Sequence, residues 1–320
     1  MKRLLSGILF SLSAAAALAQ QYPTRSVTLM VPYAPGPTDT VARIVAQAMQ
    51  KPLGESIIVE NRPSAGGILA PELVKNAKPD GYTILIHHIG MATTPALYRN
   101  LRFNPLTDFE YIGLINDVPM TLIGKAQLPA NNFKELLSYI KANKDKVNFA
   151  HAGIGAASQL CGMLFMSSIQ TEMLTVPYKG TGPAMNDLLG GQVDLLCDQT
   201  TNTTQQIKSG KVKAYGVTTL KRVPALQEIP TLDEQGLKGF EVGIWHALYA
   251  PKGTPKAAMD KLSGALQAAV KDPAVIQRFA DLGATTYPPE KATSAALQSH
   301  LKAEIDKWAP IIKKAGVYAD

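Results

Sequence analysis

The chain has 320 residues, 46% of them hydrophobic, and a formal net charge of +7. That length is enough for two domains with separate cores. The charge is spread without a basic cluster interleaved with aromatics, which argues against nucleic acid as a partner. The two cysteines, Cys161 and Cys197, stand in no C-x-x-C pair, which argues against a zinc or dithiol redox centre.

Lys2 and Arg3 precede an apolar run, Leu4 to Leu18, and Ala17-Leu18-Ala19 has the small-x-small form of a cleavage site. Residues 1–20 therefore read as a secretory signal cut near Ala19, since the run is shorter than the ~20 residues of a membrane span. No cysteine follows it to carry a lipid, so the mature chain is expected to be exported into an oxidising compartment, not membrane-anchored. In that oxidising compartment a Cys161–Cys197 disulfide is expected.

The rest alternates strand and helix patterns. Strands are predicted at Val27–Val31, Ile57–Val59, 82–87, Val147–Ala150, Met173–Val176, Val193–Leu196 and Val212–Thr218. Helices are predicted at Val41–Gln50, Ile68–Asn76, Ala157–Ser168 and Pro183–Leu189. The alternation gives an α/β fold with a mostly parallel sheet in each domain. "CDQTTNTTQQI", 197–207, supplies hydrogen bonds from a loop or caps a helix. The C-terminal region is helical: Thr254-Pro255 and Asp272-Pro273 read as capped starts, and Pro310 is expected to interrupt or kink the last helix.

Two turns stand out. In "YAPGPTDT", 33–40, a strand passes through Gly36 into a helix. In "AHAGIGAASQL", 150–160, the same grammar recurs with Gly153 and Gly155. The first N–H groups of a helix lack internal partners and carry the positive end of the dipole, so each turn is a seat for a carboxylate or phosphate. Each is equally an ordinary capped turn when taken alone. Thr38 offers a hydroxyl, whereas Asp39 would repel an anion and is expected to face away. The second turn nearly fits G-x-G-x-x-G, but Ser158 replaces the third glycine and Glu172 precedes the next strand instead of ending it, so a dinucleotide is not expected. His87 and His88, adjacent on a strand, should face opposite sides. There is no H-E-x-x-H, no G-x-S-x-G and no phosphate loop of the G-x-x-x-x-G-K-[ST] kind, so neither metal nor cofactor is expected and the chain reads as a non-enzyme.

Several segments together carry a family resemblance: "VPYAPGPTDTVAR" (31–43), "VENRPSAGG" (59–67), "KPDGYT" (78–83), "FNPLTDFEYI" (103–112), "VPYKGTGPAMNDLLGGQVD" (176–194) and "APKGTP" (250–255). The chain resembles the periplasmic substrate-binding, or Bug, proteins of tripartite tricarboxylate transporters. The resemblance implies a type II-like two-lobed clamp of two Rossmann-like domains joined by two crossovers. Lobe 1 would be 22–122 plus 246–320, and lobe 2 would be 123–245.

It also implies a ligand carboxylate held between the lobes. The first turn would contribute Tyr33, Gly36, Thr38 and Asp39, and the second Ala152, Gly155, Ala156 and Ser158. Asp198 and Thr201 follow the later strand, and His88 and Met91 lie in a segment that faces the cleft in this family. The first turn departs from the family pattern in keeping one glycine, Gly36, beside Pro37, which has no N–H. Tyr33, His88, Met91, Trp245 and His246 would make a flat aromatic cleft if all face it, so an aromatic diacid such as terephthalate is favoured over an aliphatic diacid or citrate. The implied partners are a small carboxylate and the membrane subunits of a transporter, with the binding protein itself a monomer. A sensor module for a receptor kinase, or an exported hydrolase using Ser158, are the alternatives.

Overall fold

The computed structural model describes residues 22–316, 318 and 319; the expected signal segment lies outside them. In chain order the elements are β1 Val27–Val31, α1 Pro37–Leu53, β2 Ile57–Asn61, α2 Leu69–Lys75, β3 Thr83–His88, α3 Gly90–Leu97 and β4 Phe109–Lys125. Then come α4 Phe133–Ala142, β5 Asn148–His151, α5 Ala157–Ile169, β6 Leu174–Pro177, α6 Thr181–Leu189, β7 Leu195–Gln199, α7 Thr200–Lys208 and β8 Val212–Val217. The chain ends with β9 Gly243–Pro251, α8 Lys256–Val270, α9 Pro273–Asp281, β10 Thr285–Thr286 and α10 Ser294–Ala315. Among the described residues no helix is long and apolar enough to cross a membrane.

The strands run in the order β2-β1-β3-β9-β4-β7-β5-β6, curling over two lobes. In lobe 1, β2, β1 and β3 are parallel, and β9 and the first part of β4 add to them antiparallel. In lobe 2, β6, β5 and β7 are parallel, and the last part of β4 pairs antiparallel with both β7 and β8. The sheets are thus mixed where mostly parallel ones were expected. The antiparallel centre comes from β4 and β9, the two strands that carry the chain between lobes.

Pro119 marks the point where β4 changes partners: it faces Gly243 of β9, and from Met120 onward the strand pairs with β7 and β8. A proline has no N–H for the ladder, so the pairing breaks there. Thr218 ties the returning chain to the same point. Its Oγ1 donates to the Val242 carbonyl (2.6 Å), and its N–H donates to the Met120 carbonyl (2.9 Å).

The helices follow from the apolar stripes. In α10, Leu297, Leu301, Trp308 and Ile312 are buried on one side. That packing carries the helix through Pro310 without the expected interruption. Helix α8 starts at Lys256, not at a Thr254 cap; the Thr254 hydroxyl donates instead to the Pro251 carbonyl (2.7 Å). Asp272 does cap α9, accepting from the Ala274 N–H. Residues 200–208, read as loop or cap, form α7, with Thr200, Thr201, Thr203 and Thr204 buried. Lobe 2 is stapled by the disulfide Cys161–Cys197, which joins α5 to β7.

Candidate functional site

Four strand-to-helix turns converge where the lobes meet. From lobe 1, β1 passes through Gly36 into α1, with Pro37 at the first helical position. The N–H of Thr40 already bonds the Gly36 carbonyl, leaving those of Thr38 and Asp39 at the open end of the helix. From lobe 2 come the starts of α5 after Ala156, α6 after Gly180 and α7 after Gln199. Together they border one narrow, partly open space between the lobes, much smaller than the roughly 300–1,000 Å³ of ligand pockets. Lobe 1 lines it with Tyr33, Pro37, Thr38 and His88, and lobe 2 with Ala152, Ala156, Ala157, Ser158, Thr181, Asp198 and Gln199. No lysine or arginine stands among these described residues, so the positive potential comes from the helix ends.

The histidine tautomers follow from their partners. His88 Nδ1 accepts the Gly90 N–H (2.9 Å), which puts the ring proton on Nε2. His88 therefore offers the cavity wall a neutral donor, and burial holds its pKa well below the ordinary value. His87 Nδ1 accepts the His88 N–H (2.8 Å), and its Nε2 faces the Gly67 carbonyl (3.3 Å). This fold-back at the strand end brings the two rings to 4.9 Å, edge to face, instead of on opposite sides as strand alternation alone predicts. Tyr33 stacks on His88 at 5.1 Å with an interplanar angle of 17°, fixing the ring that donates.

Asp198 is the single acid on the wall. Its Oδ1 accepts from the Thr181 hydroxyl and the Gln199 N–H, both at 2.8 Å, and its Oδ2 from Asn202 (2.7 Å). Burial pushes its pKa up to about 6, against the lowering effect of those three bonds. Ser158 Oγ accepts the Ala152 N–H (2.9 Å), so its hydroxyl proton remains to be given. Among the described residues no histidine is bonded to it.

Of the residues expected at the site, Tyr33, Thr38, His88, Ala152, Ala156, Ser158 and Asp198 reach the cavity. Gly36 packs on Gly182 across the cleft. Asp39 turns along α1 into a two-point pair with Arg43 (2.8 and 3.0 Å), facing away from the cavity as its charge requires. Gly155 accepts a bond from the Thr93 hydroxyl of lobe 1 (3.1 Å). Thr201 is buried one position inside α7. Met91 is buried in the main core, because the N-terminal part of α3 turns it inward. Trp245 lies on the other face of β9 from His246; its indole N–H donates to Glu304 of α10 (3.1 Å). His246 sits behind the wall, with Nε2 3.4 Å from the Thr38 hydroxyl. The sequence reading missed Thr181 and Gln199, although Gly180-Thr181-Gly182 follows a strand and opens a helix just as the two recognised turns do.

Direct bonds join the two lobes. The Ala34 N–H donates to the Lys179 carbonyl (3.0 Å), the Gly66 N–H to Ala152 (2.9 Å), and the Tyr98 hydroxyl to Ile154 (2.7 Å).

A two-lobed α/β clamp that closes helix N-termini around one small polar cavity defines the class of periplasmic binding proteins. Residues 41–317 match the tripartite tricarboxylate transporter family receptor, and the chain belongs to that family. Among curated relatives, the UPF0065 protein in the TAR-I ttuE-ttuC' intergenic region of Agrobacterium vitis is 52% identical over 92% of this chain and 86% of its own. Among solved structures, the periplasmic binding protein BugD is 55% identical, with a TM-score of 0.91 over 93% of this chain and 100% of its own. Two Rhodopseudomonas palustris proteins follow the same fold. MatC with bound malate is 39% identical (TM-score 0.87; 91% of this chain, 100% of its own). Rpa4515 with adipate is 32% identical (TM-score 0.87; 93% and 99%).

Proposed function

We propose that this protein captures a short aliphatic dicarboxylate in the periplasm and delivers it to the membrane subunits of a tripartite tricarboxylate transporter. The observation that carries this reading is the convergence of helix N-termini from both lobes on one cavity. Each terminus favours a carboxylate by about 0.3–1 kcal/mol at an exposed site and up to ~2 kcal/mol when partly buried. Two lobes contributing separately match a ligand with a carboxylate at each end. The malate and adipate held by the two R. palustris relatives are such ligands. The two lobes would move as bodies about the points where β4 changes partners at Met120 and β9 begins at Gly243, a few residues before the expected 122 and 246, and ligand would stabilise the closed form by binding it better than the open one.

The aromatic diacid reading depended on five side chains meeting. Met91 and Trp245 are committed elsewhere and His246 stands behind Thr38, which leaves Tyr33 and His88 as the ring-bearing walls. Two rings and a narrow space favour a chain over a flat ring. A second reading is favoured by Asp198: a buried carboxylate on the wall suits a ligand that also bears an ammonium group, such as an amino diacid.

Thermal-shift screening of succinate, malate, adipate, terephthalate and aspartate, followed by calorimetry on the hits, tests both. Micromolar or tighter binding of an aliphatic diacid is expected. Binding of terephthalate alone would overturn it. Export is checked by N-terminal sequencing of the periplasmic protein, which should begin close to Gln20.

A further inference from the structure

A row of three polar side chains runs from the core of the sheet to the cavity wall. Strand register places His88 of β3 beside His246 of β9, and His246 beside Asn116 of β4. Asn116 and His246 are fully buried. His246 Nδ1 lies 3.0 Å from the Asn116 side-chain amide, and its Nε2 lies 3.4 Å from Thr38 Oγ1. Thr38 lines the cavity.

The bonds in this row run in one of two directions. With the Asn116 carbonyl toward His246, Nδ1 holds the proton and bare Nε2 takes the Thr38 proton. Thr38 then shows the ligand lone pairs only. With the amide NH2 toward His246, Nδ1 accepts and Nε2–H donates to Thr38 Oγ1. The Thr38 proton is then free for a ligand oxygen.

Two observations select the second direction. In the first, Asn116 Nδ2 is buried with no acceptor among the described residues. A buried orphan N–H is rarer than an under-satisfied carbonyl, and an amide's oxygen and nitrogen exchange places at no steric cost. Turning the amide gives Nδ2 an acceptor in His246 Nδ1. Second, the neighbouring His87 and His88 each accept a backbone N–H at Nδ1, so each carries its proton on Nε2.

We propose that Asn116 and His246 are positioning residues that fix Thr38 as a hydrogen-bond donor to the ligand carboxylate. Burial keeps His246 neutral, its pKa lowered to about 3, so the direction of the row does not reverse on protonation near neutral pH. This inference deepens the carboxylate reading and rests on it for the identity of the acceptor.

The first test needs no ligand. Long-range ¹H–¹⁵N correlation NMR of the labelled mature protein at pH 7 should give His246 the chemical shifts of the Nε2–H tautomer. Shifts of the Nδ1–H tautomer would overturn the proposal, whatever the protein binds; absence of any dicarboxylate binding would overturn the functional reading alone. The second test uses malate. Thr38→Val should weaken malate binding ~10–100-fold, the range for a bond to a charged group. Asn116→Asp forces the proton onto His246 Nδ1, so within that background Thr38→Val should cost less than ~3-fold. Comparing the two costs cancels the charge that Asn116→Asp introduces. Equal costs in the two backgrounds would overturn the proposal.

Discussion

Gly36 and Gly182 touch across the cleft, each at the start of a helix in a different lobe. A Cβ on Gly36 would stand 3.0 Å from the Gly182 nitrogen, and a Cβ on Gly182 would land on the Pro35 carbonyl oxygen. Both approaches are backbone against backbone, so no side chain can swing aside. Gly182→Ala suits its own helix, where alanine is favoured by about 1 kcal/mol over glycine. It should nevertheless prop the lobes apart. Expected is loss of malate binding by tenfold or more, with melting temperature unchanged or raised and a larger radius of gyration in X-ray scattering. Unchanged affinity would show that the lobes need not come this close.

Tyr98 reaches from the end of α3 to the Ile154 carbonyl of lobe 2 at 2.7 Å. The bond joins the two lobes, so it is lost when they separate. Tyr98→Phe should therefore weaken ligand binding by about 0.5–1.5 kcal/mol, the net worth of one such bond. The change should appear mainly as faster dissociation in stopped-flow measurements. A slower association with unchanged dissociation would contradict the assignment.

Ligand binding should depend on pH through Asp198. Its pKa of about 6, raised by burial, leaves it mostly ionised at pH 7.5 and mostly protonated at pH 5. A dicarboxylate repels the ionised form, so binding should take up a proton and tighten as pH falls from 7.5 to 5.5, by about three- to tenfold. A ligand whose ammonium group pairs with Asp198 reverses the sign. Calorimetry at the two pH values separates the readings, and a flat profile would mean that Asp198 does not face the bound acid.

Acid stability should be governed by the buried histidines. Burial lowers His87 to about 4 and His246 to about 3, and holds His88 well below 6.5. Between those values and 6.5 the unfolded chain binds more protons than the folded one, so stability falls as pH falls through that window. The effect is on the order of 1–2 kcal/mol at pH 5 for each of His87 and His246, and His88 acts in the same direction. Asp198 acts oppositely, because its raised pKa makes the folded form bind the extra proton between about 6 and 4. Three histidines outweigh one aspartate. The melting temperature should drop by several degrees from pH 7 to pH 5; a rise would contradict this.

The Cys161–Cys197 bond spans 36 residues of lobe 2. In the chain-entropy account such a loop is worth roughly 3–4 kcal/mol. Cys161→Ala with Cys197→Ala should lower the urea midpoint accordingly, without changing the slope greatly. Loss under about 1 kcal/mol would mean that the reduced chain is already constrained.

Much of the site was legible where a local pattern carries the meaning. Gly36, Gly153 and Gly155 between strand and helix signals mark two strand-to-helix turns, and the structure brings Thr38 and Ser158 from those turns to one cavity. Which way a buried ring points was not legible. Trp245 and His246 are neighbours in sequence, but strand alternation sends one to Glu304 and the other toward Thr38. Alternation alone could not say which face was the cleft, because both faces of β9 are covered. The fold-back of His87 onto the His88 N–H likewise depends on a bond formed only at the strand end. The role of Pro119 was hidden too, since a proline inside an apolar run argues against a strand until its two different partners are seen.

Phe109–Lys125 belongs to both sheets at once. Its flexing therefore behaves like a leaf spring clamped at each end, not like a slack tether. Any rotation of one lobe against the other must therefore bend this strand where its partners change, at Pro119 and Met120.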